Sequence, residues 1–177
     1  PNPSQWQVTP ETARLLQHWR HHTFSGVRPF FCQVEAAETA IWLTEVAPQT
    51  KGGKVLLDHL ASANSDANPE LMRLALKLAT GAGKTTVMAM LIAWQTIKAA
   101  RRPTSNNFPR GILICAPGLT IKAHLRVLQP NDPKTHYKNR NLLPRESLAA
   151  MSRAKMAIPT YNAFKSRLAN TQYGVAP

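Results

Sequence analysis

Acidic residues are scarce in this sequence: nine Asp and Glu face 22 Lys and Arg in 177 residues, a formal charge of +13. The shortage leaves the basic charge without an internal counterweight and points to a polyanionic partner held through its phosphates, nucleic acid being the obvious candidate. An acidic remainder of a longer polypeptide, balancing this part, is the alternative. The basic residues are spread along the chain, which excludes a compact basic tail or nuclear address. Cysteine is nearly absent as well. Cys32 and Cys115 lie far apart, with no second pair to complete a zinc cluster and no secretory segment to suggest an oxidising compartment, so they are expected to be buried thiols. No long hydrophobic run occurs either. The most apolar stretch, Val87 to Trp94, falls far short of the roughly 20 residues of a membrane span, and the expectation is a soluble, cytoplasmic protein with no membrane partner. The chain opens at Pro1 without an initiator methionine and ends at Pro177 without a tail signal, so it is read as a piece of a longer polypeptide.

What is present suffices for one domain with a sizeable core, 44% of the residues being hydrophobic. Thr9 as a cap, Pro10 at the first helical position and leucines at 15 and 16 predict a helix running to Arg20, and Val34, Ala37 and Ile41 predict a second from about Cys32 to Val46, closed by Pro48. Between them, His18, His21 and His22 have no carboxylate or cysteine at ligand spacing and are expected to be solvated rather than metal-bound. Residues 1–48 thus form an N-terminal helical part. Gly, Asn, Ser and Asp then mark 49–70 as a loop or insertion around a short apolar patch, Val55 to Leu60. From 71 to 177 the pattern alternates. Leucines at 74, 76 and 78 predict a strand from Arg73 to Ala79, although Leu71, Leu74, Ala75 and Leu78 fit one helical face equally well, and only the glycine loop that follows decides for the strand. The uncharged run Thr85 to Trp94 predicts a helix covered on most sides. Ile112 to Ala116 follows as a strand after the loop Arg101 to Arg110, then a helix carrying Ile121, Leu125 and Leu128, the polar stretch Pro130 to Pro144, a helix over Arg145 to Arg153, and a third strand at Met156 to Ile158. Alternation of this kind implies a parallel sheet with flanking helices, an α/β fold.

The chemistry is concentrated in Thr80-Gly81-Ala82-Gly83-Lys84-Thr85, between a predicted strand and a predicted helix, where a phosphate loop has to be. Gly81 and Gly83 let the backbone approach phosphate oxygens and turn its amides inward, and the helix N-terminus adds partial positive charge. Lys84 supplies a point charge for the outer phosphates and Thr85 a hydroxyl for magnesium, with Ala82 and Thr86 completing the cradle. The alternative is a glycine-bearing loop with a surface lysine.

The threonine-glycine-x-glycine-lysine-threonine core resembles the phosphate loop of the first RecA-like domain in DEAD/DEAH-type helicases of the second superfamily, where a small or apolar residue, here Leu78, often replaces the first glycine. Arg28-Pro29-Phe30-Phe31-Cys32-Gln33, Leu76 to Gly81, and Ala116-Pro117-Gly118-Leu119-Thr120 together resemble the motor subunit of type III restriction enzymes over nearly the whole chain. The resemblance implies an incomplete RecA-like sheet, ATP and magnesium as cofactors, double-stranded DNA as the nucleic acid, and a methyltransferase or specificity subunit as a partner. It implies that Lys84 and Thr85 are catalytic, with Thr85 on the metal, and that Gln33 reads the adenine edge in a pocket shaped by Arg28 and Phe30. Pro117, Gly118 and Thr120 would bind the backbone of one nucleic-acid strand, with Lys122, His124 and Arg126 just beyond, and so would Thr160 in Ile158-Pro159-Thr160-Tyr161. Pro159 cannot donate a ladder hydrogen bond, so the last strand is expected to end there.

The family also needs an aspartate-glutamate pair after the third strand, and no two acidic residues are adjacent anywhere in this sequence. These 177 residues are therefore expected to bind ATP and not to turn it over at a useful rate. Two other readings stay open: a P-loop ATPase or kinase that does not act on nucleic acid, and a basic nucleic-acid-binding module with a vestigial nucleotide site.

Overall fold

The computed structural model describes residues 6–102, 108 and 111–164. Most of the connection expected over 101–110, and the chain beyond 164, lie outside those residues. The architecture is helical with a two-stranded parallel sheet. Helix α1 spans Pro10–His21, α2 Phe31–Ile41, α3 Lys51–Ala67 and α4 Lys84–Arg101; β1 is Gly111–Leu113, followed by α5 Leu119–Leu125, α6 His136–Asn139, α7 Leu148–Met151 and β2 Lys155–Ala157.

Proline at the first position of α1 loses no intrahelical bond there and presets φ, and Leu15, Leu16 and Trp19 recur on the buried face. Helix α2 continues through a π-turn, Trp42–Val46, and a tighter turn, Ala47–Gln49, around Pro48. Helix α4 runs through the middle of the core. Met90, Trp94 and Ile97 pack with Leu15 and Trp19 of α1, Ala37 and Ile41 of α2, and with Ile114, Leu128, Leu142, Met151 and Ile158 from the second half of the chain. The expectation of a covered, uncharged helix is met from Thr86 to Ile97.

Strand β1 pairs with β2 in parallel register, Ile112 opposite Met156 and Leu113 opposite Ala157. The pairing continues as a single bridge from Ala116 to Thr160, and the amide of Ala116 donates to the Pro159 carbonyl at 2.9 Å. Proline is tolerated there because its carbonyl, not an amide, serves the neighbour. β2 ends before it, as expected.

The structure corrects several expectations. The segment 73–79 is extended but unpaired, so the phosphate loop does not follow a strand of the sheet among the described residues, and the sheet has two strands where three were expected. Alternating leucines satisfy the period of a strand, but a strand exists only with a hydrogen-bonded neighbour, and Leu71, Met72 and Leu74 remain exposed. The loop expected over 49–70 is mostly helix α3. Its start is capped by the Thr50 hydroxyl, which accepts from the Gly53 amide at 3.1 Å, and Leu56, Leu57, Leu60 and three alanines outweigh the glycines and asparagine that suggested a loop. Gly53 is also where α3 touches the body: a Cβ there would lie 2.3 Å from the Ala47 carbonyl oxygen. Cys32 and Cys115 are both exposed rather than buried. His18, finally, is half-buried rather than solvated. Its Nε2–H donates to the Asn141 carbonyl at 2.7 Å and its ring stacks on His22 at 4.3 Å. Beside it, Trp19 donates to the Leu142 carbonyl at 2.9 Å, so α1 is fastened to residues 141–142.

A buried ionic cluster invisible in the sequence joins α1, α2 and α4. Lys98 and Glu45 meet at 2.9 Å with side chains 2% and 6% exposed. Glu45 also accepts from the Thr12 hydroxyl at 2.6 Å, the Trp94 indole at 2.9 Å and the Thr9 amide at 3.0 Å. Thr9, expected to cap α1, turns its hydroxyl to this cluster instead, accepting from Lys98 at 2.6 Å. Burial alone would raise the Glu45 carboxyl, but its donors outweigh that and hold it below the ordinary carboxylate value. Burial likewise depresses the His18 and His136 imidazoles.

All three shifts give acid sensitivity. A depressed imidazole favours the neutral ring in the folded state, so stability falls as pH drops below the ordinary value of 6.5. A depressed carboxyl adds stability that is present above its ordinary value of 4.5 and is lost as pH falls through the folded value. Denaturant midpoints between pH 8 and 3 should therefore fall in two stages; His18→Gln should shrink the upper stage and leave the lower one.

No helix among the described residues is long and apolar enough to cross a membrane.

A candidate phosphate-binding site

The residues expected to cradle phosphate form a turn ahead of α4. Gly81 and Gly83 have φ of 80° and 70°, in the left-handed region that a side chain disfavours, and Lys84 begins the helix. The Ala82 amide bonds back to the Ala79 carbonyl at 3.3 Å and the Thr86 amide to Gly83 at 2.8 Å. Thr80, Gly81 and Lys84 are exposed, and Ala82, Gly83 and Thr85 are half-exposed, so the loop is open to a ligand. Lys84 folds over its own turn, its ammonium donating to the Ala79 carbonyl at 2.8 Å. A phosphate oxygen is a stronger partner for that ammonium than a neutral carbonyl. Thr85 sits in the first helical turn, and its hydroxyl has no hydrogen-bond partner among the described residues, which leaves an oxygen that could serve a cation.

Gln33, 49 residues away in sequence, is fixed to this loop. Its Nε2 donates to the Ala82 carbonyl at 2.8 Å, and its Oε1 accepts from the Phe30 amide at 3.0 Å, bridging the start of α2 to the loop. It is 3% exposed, and a Cβ on Gly83 would lie 2.4 Å from its Nε2. Arg28, Phe30, Gln33 and Thr86 line one narrow cleft, so the structure brings together residues that the sequence could only group by resemblance. Arg28 itself is turned toward α1, donating to the Arg20 carbonyl.

The expected nucleic-acid residues gather around the end of the sheet. Pro117, Gly118 and Thr120 lie between β1 and the first turn of α5, and Thr160 is brought beside them by its bridge to Ala116. Pro117 and Thr120 are exposed, as are Lys122, His124 and Arg126 on α5 and after it. Among the described residues Arg126 has an acidic neighbour, Asp132 at 3.5 Å.

No protein-family model, curated protein or solved structure matches the chain.

Arg140 was not anticipated. It closes the cleft opposite Gln33, its guanidinium donating to the Thr86 hydroxyl at 3.3 Å, 54 residues away in sequence. The next residue, Asn141, is held in the left-handed region at φ 48° and bonded to His18 through its carbonyl, which fastens the backbone beside Arg140 to α1. Nothing in the local pattern of the polar stretch 130–144 marks this arginine. No group of three or more His, Cys, Asp or Glu side chains capable of holding a metal occurs among the described residues.

Proposed function

We propose that the chain is the ATP-binding part of a nucleic-acid-dependent ATPase, a helicase or translocase with a RecA-like first domain of the kind that serves type III restriction enzymes. The observation that carries the reading is the loop from Thr80 to Thr85. Two glycines in the left-handed region aim the backbone at a ligand, a lysine and a threonine open an 18-residue helix, and a buried glutamine ties the loop to a second element. In this reading the loop amides and the N-terminus of α4 take the β- and γ-phosphates, Lys84 leaves the Ala79 carbonyl for them, and Thr85 offers its hydroxyl to magnesium, which would screen the phosphate charge. The exposed Pro117 and Thr120, with the half-exposed Gly118 and Thr160 and the net charge of +13, offer a backbone-binding edge for DNA. The chain lacks adjacent acids to hold the metal and position water, so ATP is bound and released unhydrolysed.

Magnesium-dependent binding of a fluorescent ATP analogue, wild type against Lys84→Ala, tests the proposal. Loss of one charge-assisted contact predicts binding weaker by roughly 10- to 100-fold with an unchanged melting temperature. Equal binding by the two proteins, or none by the folded wild type, refutes it. The same sample should release no phosphate above background when DNA is added.

A further inference from the structure

Arg140 stands over the first turn of α4, where its guanidinium donates to the Thr86 hydroxyl at 3.3 Å. That hydroxyl would lie 3.7 Å from a Cβ on Gly83, so the partner of the arginine is itself in van der Waals reach of the phosphate loop. Buried Gln33 and Thr86 form the floor of the cleft here, and the exposed Arg28 and Arg140 stand at its mouth. The space between them is about 10 Å³, enough for one water and too small for a ring, so a larger ligand meets the arginines from outside.

We propose that Arg140 is a second phosphate-binding cation of the nucleotide site, closing on the inner phosphate of a bound nucleotide while Lys84 takes the outer ones. The inference rests on the nucleotide reading of the loop.

Three observations support it. The first is position. Thr86 follows Lys84 by two residues, about 200° around the helix, so Arg140 reaches the end of α4 from the side away from the lysine. Phe30 and Gln33 lie on that side, in the same cleft. A base beside Phe30 and outer phosphates beside Lys84 leave the inner phosphate between them, next to Thr86. The second is charge. No acidic side chain lines the cleft, and among the described residues neither Arg28 nor Arg140 is paired with a carboxylate. Two arginines sharing a cleft without an acid is a like-charge arrangement that an anion relieves. The third is preorganisation. The Arg140 amide donates to the His136 carbonyl at 3.1 Å, and the carbonyls of the next two residues accept from His18 and Trp19 of α1 at 2.7 and 2.9 Å. Only the side chain has to swing, and a phosphate oxygen is a stronger acceptor for a guanidinium than the Thr86 hydroxyl.

Competition of ATP and ADP against a fluorescent ATP analogue, on the full chain, tests the assignment. Arg140→Gln can still donate to the Thr86 hydroxyl but carries no charge. It should weaken ATP and ADP by the same factor, about tenfold, with an unchanged melting temperature. Affinity should also fall less steeply as salt is raised, a change that a residue merely shaping the cleft would not produce. Arg140→Lys, which keeps the charge, should recover part of the loss. Lys84→Ala should instead weaken ATP more than ADP, because the lysine serves the outer phosphates. Unchanged affinities in Arg140→Gln, with Lys84→Ala still harmful, overturn this assignment and leave the reading of the loop standing. A loss confined to ATP, or an equal loss with the salt dependence unaltered, overturns it as well. A folded wild type that binds neither nucleotide overturns both.

Discussion

Lys98→Ala is expected to destabilise the protein by about 3–5 kcal/mol, measured by urea denaturation at pH 7. The lysine is almost wholly buried and is the counter-ion of Glu45, whose carboxylate would remain in the core with hydroxyl, indole and amide donors but no opposite charge. Domains of this size have about 5–15 kcal/mol to lose, so the variant should sit near its unfolding threshold at physiological temperature. Glu45→Ala should cost a similar amount, because it strands the ammonium beside Thr9 and the Phe108 ring, 4.6 Å from its centroid. The double variant Glu45→Leu with Lys98→Met should cost much less than the sum, since neither charge is then left alone, although Thr12 loses its carboxylate acceptor and Trp94 keeps only the Thr12 hydroxyl, at 3.1 Å. The Lys98→Ala deficit should also narrow as pH falls toward the depressed folded value of the Glu45 carboxyl, below which Glu45 is protonated in both proteins. Single variants costing under about 1 kcal/mol would show that the pair is not the fastening described here.

Gly83→Ala should abolish nucleotide binding, by about a hundredfold or more, and lower stability as well. Two separate obstacles act at this position. A side chain at φ 70° costs about 1–2 kcal/mol, and the new Cβ would fall 2.4 Å from the Gln33 amide nitrogen, which is itself held by Ala82 and Phe30. The loop must move off α2 or the glutamine must leave its site, and either shifts the amides proposed to bind phosphate. Gly81→Ala separates the obstacles, because at φ 80° it is strained yet meets nothing within 4 Å. It should be milder in both melting temperature and analogue titration. Adding Gln33→Ala to Gly83→Ala removes the collision but not the strain, so partial recovery of binding is expected. If the two glycine substitutions are equally harmful, the contact with Gln33 has no part in holding the loop.

The uneven legibility of this chain follows from the range over which each interaction acts. The glycine turn that opens α4 could be read from consecutive residues because its requirements are local: backbone freedom at Gly81 and Gly83 and a helix start. The covered helix α4 was legible from its lack of charge, and β1 and β2 from short apolar runs bounded by Pro117 and Pro159. The missing strand over 73–79 and the unsuspected helix α3 mark where local pattern runs out. The first pattern needs a neighbour that leucine spacing cannot supply, and in the second, propensity and one threonine cap outweighed glycines that suggested a turn.

Sequence alone therefore determined the excess of positive charge, the absence of adjacent acids, and the glycine turn at the start of α4, because composition and short-range spacing set all three. Tertiary structure decided which distant groups meet. It seated Gln33 on Ala82, 49 residues away, placed Arg140 over Thr86, and sank Lys98 beside Glu45 instead of leaving it in water. Each of these contacts depends on how helices cross, and a buried polar group accepts whatever partner that crossing brings within reach.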